Sequence, residues 1–201
     1  MPGAMLATQD MDLLWDGRPR LSLVVTEAEA RGVLGILRSV DSSFKPVSPR
    51  SFRAGNDDGY LVDLIRPNEP DLRRPALEKI GRDGEDLYAV GIEGLQWLVS
   101  APKIEETVIG SDGMPLSMCC IDPRAFALHK LWVSKRSDRN PAQRPRDEEQ
   151  AIAVAALASS HLNLSFESKG LSALPKELRQ FGSDLKKKAR AWLKENQPDI
   201  D

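Results

Sequence analysis

Cysteine and histidine are scarce in this chain, and the scarcity narrows its chemistry. Its 201 residues include two cysteines, adjacent at Cys119 and Cys120, and two histidines, His129 and His161. Adjacent side chains on a strand point to opposite faces, so these cysteines are ill placed to bond to each other, and a structural zinc ion would lack ligands. The two histidines lie far apart and read as packing or surface residues. Long apolar runs are also missing. None approaches the roughly 18 to 20 residues that a membrane-spanning helix requires, and no basic-then-apolar leader opens the chain. The expectation is a cytoplasmic protein with no membrane contact. An excess of one charge is absent too: the net charge of -2 gives the molecule as a whole no attraction for nucleic acid. Internal repeats and low-complexity tracts are not found.

What is present describes a globular body. Hydrophobic residues make up 41% and the mean hydropathy is -0.37, which fits one α+β core with a helical annex. Asp10–Trp15 reads as a short strand and Arg20–Val25 as another. Thr26 then caps a helix that runs to about Ser39, with Gly32 and Gly35 marking close packing. Arg50–Ala54 and Tyr60–Arg66 flank a turn from Gly55 to Gly59, a hairpin signature. The polar stretch from Asn68 to Asp86 reads as irregular. A second hairpin joins Ile104–Ile109 to Met114–Ile121, for a mixed sheet of about five strands. From Asp122-Pro123 onward the pattern is helical, with further starts at Pro145 and Pro175 and a last helix ending near Leu193. The expected division is residues 1–122 as an α/β domain and 123–201 as a C-terminal helical bundle.

The sharpest feature is a set of acids. Asp10 and Asp12, two apart on a strand, project from one face about 7 Å apart along the backbone, while Met11 and Leu13 turn to the core. Two carboxylates at one spot repel unless a hard cation lies between them, and Mg²⁺ accepts oxygen ligands while keeping places for phosphates. Asp63 sits inside Tyr60-Leu61-Val62-Asp63-Leu64-Ile65, where an unpartnered carboxylate is costly. Should its strand lie beside Asp10–Trp15, three carboxylates converge. The plainer reading puts Asp10 and Asp12 on a solvated face and pairs Asp63 with an arginine.

Cations cluster elsewhere. Lys135, Arg136, Arg139, Arg144 and Arg146 stand against a single acid, Asp138, before Asp147, and form a candidate anion-binding loop. Lys130, one turn after Phe126, can pack its stem and extend its ammonium to a phosphate or to the carboxylates. Lys186, Lys187, Lys188, Arg190 and Lys194 mark the last helix, either as a solvated face or as a surface for RNA.

The run Ala7-Thr8-Gln9-Asp10-Met11-Asp12-Leu13-Leu14-Trp15 resembles the T-x-D-I-D-L-L segment of a bacterial family of polymerase-beta-type nucleotidyltransferase-fold proteins. Further matches follow in order at Gly59–Ile65, Val108-Ile109-Gly110, Pro123–Leu131, Asp147 and Gln150-Ala151. The likeness extends to nucleotidyltransferase toxins of toxin–antitoxin systems. It implies Mg²⁺- or Mn²⁺-dependent transfer of a nucleoside monophosphate from an NTP such as ATP to an acceptor hydroxyl on RNA, protein or a small molecule. Asp10, Asp12 and Asp63 would be the catalytic and metal-binding acids, and Thr8, Lys130 and Arg136 the nucleotide-binding residues. A protein partner from a neighbouring gene is a further expectation. Such enzymes carry a Gly-Ser or Gly-Gly turn and a helix ahead of the D-x-D strand, where N–H groups cradle phosphate. Only nine residues precede Asp10, too few for that strand, turn and helix, so the expectation is that either the sequence begins late in a longer protein or the phosphate cradle has been lost. The alternative function is therefore a non-catalytic module that binds a nucleotide or a partner.

Overall fold

The structure is a computed structural model that describes residues 10–15, 27–68, 75–79, 85–110, 112–167 and 169–196. It divides into two compact units, residues 2–99 and 100–201. The division expected near Asp122 lies one hairpin later than this boundary.

The first unit holds β1 (Asp10–Leu14), α1 (Glu27–Val40), β2 (Lys45–Pro46), β3 (Arg53–Gly55), β4 (Leu61–Pro67), β5 (Leu77–Lys79), β6 (Tyr88–Ile92) and α2 (Leu95–Ser100). Its six strands form one mixed sheet in the order β2-β3-β4-β6-β5, with β1 also paired to β4. β4 is the organising strand. Antiparallel β3 pairs with Leu61–Asp63 and parallel β6 with Ile65–Pro67, whereas parallel β1 pairs with the whole of Leu61–Ile65. Because a strand has two edges, β3 and β6 must follow each other along one edge and β1 must occupy the other.

Alternation along β4 sets the faces. Val62 and Leu64 are buried with Leu34, Phe44, Ala54, Leu87 and Ala89, and Leu13, Trp15, Val33 and Leu37 pack against them. Leu61, Asp63 and Ile65 take the opposite face. Leu13 faces the core as expected, but Met11, at the outer end of β1, is 43% exposed. α1 is not one continuous helix: Gly32 has φ 70° and ψ 167°, a conformation open in practice to glycine alone. The buried Asp86 carboxylate accepts hydrogen bonds from the N–H groups of Val33 (3.3 Å), Leu34 (2.9 Å) and Leu87 (2.8 Å), and so caps the second half of α1 from a distant loop.

The second unit begins with β7 (Lys103–Ile109) and β8 (Pro115–Ile121), then α3 (Pro123–Lys135), α4 (Arg144–Ser160), a 3-10 turn (Lys169–Leu171), α5 (Lys176–Arg179) and α6 (Gly182–Asn196). The second hairpin therefore forms, but as its own two-stranded sheet rather than as part of the larger one. Asp122 caps α3, with Pro123 at the first helical position. The alanines of α4, among them Ala151, Ala155, Ala156 and Ala158, are buried, and their small side chains let α3 and α6 pack closely against it. Cys119 and Cys120 are both free. Arg20–Val25 and the Thr26 cap lie outside the described residues, and of the irregular stretch from Asn68 to Asp86 a short strand, β5, is described.

Candidate active site

The acids are positioned by the β1–β4 register. Asp12 stands directly opposite Asp63, and Asp10 stands opposite Leu61, two places back on the same face. All three carboxylates thus belong to the face turned away from the core. Asp10 and Asp12 are exposed, and the Asp63 side chain is 14% exposed.

A fourth residue, not foreseen, completes the group. Arg53 on β3 lies opposite Asp63 across the other edge of β4. Its Nε donates to Asp63 Oδ1 at 2.5 Å and its Nη2 to Oδ2 at 2.6 Å, a two-pronged grip that fixes the plane of the carboxylate. The hydrogen bonding to Asp63 raises the Arg53 pKa, partial burial opposes the rise, and the negative charges of Asp63, Asp10 and Asp12 add to it. One guanidinium therefore answers three carboxylates. The plainer sequence reading, an arginine partner for Asp63, describes this arrangement. Among the described residues no three His, Cys, Asp or Glu side chains stand close enough together to hold a metal ion. Chemically the donors still suit Mg²⁺ or Mn²⁺, since Mg²⁺ is commonly held by one or two carboxylates with substrate phosphates completing its shell. Each Asp63 oxygen that accepts from Arg53 keeps a further lone pair.

The second unit carries the other predicted residues. The Lys130 Nζ donates to Asp147 Oδ1 at 3.2 Å and lies 5.6 Å from the Phe126 ring centroid, while the Arg139 Nε donates to Asp147 Oδ2 at 2.7 Å. Asp147, 2% exposed, is the buried anchor of two cations. Arg136 pairs with Asp138 at 2.8 and 2.6 Å and stacks over Trp132 at 4.6 Å. Lys135 pairs with Glu148, and Arg144 donates to the carbonyls of Arg139 and Ser137. Lys135, Arg136, Arg139 and Arg144 thus hold the loop and its neighbouring helix together, while Arg146 is exposed, which the composition of the segment did not show. Thr8 lies outside the described residues.

Beside this network His129 is buried, and its Nε2 has no hydrogen-bond partner among the described residues. Burial lowers its pKa to about 4; the charges of Lys130 and Arg136 push the same way and that of Asp147 opposes them. The buried Asp122 behaves differently. Burial alone would raise its carboxyl, but hydrogen bonds from the Arg124 side chain and backbone outweigh it and hold the group below its ordinary value.

Searches of curated proteins and of solved structures give no match. A family model described as Nucleotidyltransferase matches residues 1–175, a span that contains Asp10, Asp12, Arg53, Asp63, Lys130 and Asp147. The match covers most of the chain, and on that ground the protein belongs to the nucleotidyltransferase family.

Proposed function

We propose that the protein transfers a nucleoside monophosphate from an NTP to an acceptor hydroxyl, with Mg²⁺ or Mn²⁺ held by Asp10 and Asp12. The observation that carries the reading is the register of β1 on β4, which aligns Asp12 with Asp63 and sets Asp10 on the same face. The divalent ion, when bound, supplies positive charge to the phosphate oxygens. Asp63, its plane fixed by Arg53, has a lone pair left with which to take the proton of the acceptor hydroxyl. The acceptor oxygen then forms its bond to the α-phosphorus as the bond to pyrophosphate breaks. Arg53 offsets part of the negative charge of Asp63, Asp10 and Asp12. Lys130, Arg136 and Thr8 are assigned to nucleotide binding on the resemblance alone.

The reading extends to a cytoplasmic setting, to ATP among the NTPs, to bacterial relatives among toxin–antitoxin enzymes, and to a protein partner encoded nearby. Incubation with each α-labelled NTP, Mg²⁺ or Mn²⁺, and cellular RNA, protein or metabolites is expected to label an acceptor. Equal labelling by Asp10→Ala/Asp12→Ala would remove the proposal.

A second reading, a nucleotide- or partner-binding module without turnover, is favoured by one observation: both Asp63 oxygens already accept from Arg53. Calorimetry separates the two. Metal-dependent NTP binding with no pyrophosphate release supports the module, whereas pyrophosphate release by the wild type, lost in the double variant, supports the transferase.

A further inference from the structure

The cations of the second unit divide by what they meet. Those of the 135–146 loop are largely spent on internal partners, as described above. On α6, Lys186 pairs with Glu167 at 2.7 Å, and Lys188 with Glu148 at 2.7 Å and Asp184 at 3.2 Å. Lys187, Arg190 and Lys194 are exposed and make no ion pair within 4 Å among the described residues, although the charge of Arg190 is felt by Glu167, whose main partner is Lys186. Their spacing of three and four places them along a single helix face, so they form a continuous cationic stripe.

Arg190 also borders a cavity of about 350 Å³ between the end of α4, the turn from Asn163 to Phe166, and α6. Ala189 and Leu193 line it with Phe166, Ser159 and Asn163, of which the last two bring a hydroxyl and an amide to the segment. The volume lies at the small end of ligand pockets, suited to one planar group. An aromatic face with an amide, a hydroxyl and a guanidinium can stack a base and bond its edge, and a row of cations beside it can follow a chain that carries one negative charge per unit.

We propose that the α6 stripe and the adjoining cavity bind single-stranded polynucleotide, with phosphates along Lys187, Arg190 and Lys194 and one base against Phe166. Such a strand would supply the acceptor for nucleotidyl transfer, a role that rests on the function proposed above. Neither a polyanion without bases nor a ligand of the carboxylate face would use both halves of the site.

The test is fluorescence anisotropy of a labelled single-stranded RNA oligomer, and of DNA of the same sequence, in EDTA without NTP. Lys187→Gln/Arg190→Gln/Lys194→Gln is expected to flatten the slope of log affinity against log salt by about two, from about 0.7 per lost phosphate contact. Asn163→Gly, which keeps the backbone conformation at φ 53°, is expected to weaken binding severalfold without changing that slope. Asp12→Asn should bind as the wild type does, so loss of transfer and loss of strand binding are read separately. Tighter binding of one oligomer names RNA or DNA as the source. Absence of wild-type binding at low salt, an unaltered triple variant, or equal competition by polyphosphate of matched charge would overturn the proposal.

Discussion

A carboxylate set between Val62 and Leu64 must be answered by a partner, and Arg53 is that partner. Its fork holds both Asp63 oxygens, and being 38% exposed it is screened enough by solvent that the pair stabilises the fold only modestly. Its larger consequence is orientation. Arg53→Lys keeps the charge but loses the fork. On the proposed mechanism it lowers nucleotidyl transfer by about tenfold with little change in melting temperature, whereas Asp63→Asn lowers it by about a hundredfold or more, as removal of a proton acceptor does. Steady-state rates beside thermal melts check both, and unchanged rates in Asp63→Asn would remove Asp63 from the chemistry. The acids were legible because a charge inside an apolar alternation stands out. Arg53 was not, because its place opposite Asp63 depends on a hairpin register that the glycine-rich turn leaves unfixed until Gly55 is known to pair with Leu61.

At the scale of the element, α1 and α3 carry the sharpest consequences. The glycine in α1 was visible as a weak point in a helix. The reason for it was not, since Asp86 lies more than fifty residues away. A Cβ at position 32 would come within 2.3 Å of Asp86 Oδ2, and the positive φ adds strain. Gly32→Ala should therefore destabilise the first unit by about 2 to 4 kcal/mol, and Asp86→Ala by about 1 to 3 kcal/mol through the orphaned N–H groups. Chemical denaturation curves measure both. In α3, the unfolded chain protonates His129 near pH 6.5 and the fold only near 4. The unfolded state thus binds the proton first, so stability is complete above about pH 6.5 and falls, by up to about 3 kcal/mol, as pH drops to 4. Asp122, whose pKa is lowered, adds a loss that begins only as pH falls through the ordinary carboxylate range. The variant His129→Leu should flatten the first of these windows and leave the second, as denaturant midpoints against pH will show.

At the scale of the molecule, the alternation of strands, the two hairpins and the turn to helix after Asp122 were all legible, since each rests on local periodicity and turn chemistry. The strand Tyr88–Ile92 and the helix Leu95–Ser100 were not. Both are short apolar runs whose period does not separate strand from helix, and β6 acquires its identity only by pairing in parallel with Ile65–Pro67. The placing of the second hairpin in a sheet of its own was likewise hidden, because pairing between hairpins leaves no local mark. What unites residue, element and family is the negative face of β1 and β4. Its most direct test is electron paramagnetic resonance of Mn²⁺ titrated into the wild type and into Asp10→Asn/Asp12→Asn, each with a non-hydrolysable NTP. The account predicts saturable binding of Mn²⁺ by the wild type and its loss in the variant, and equal binding by both proteins would contradict it.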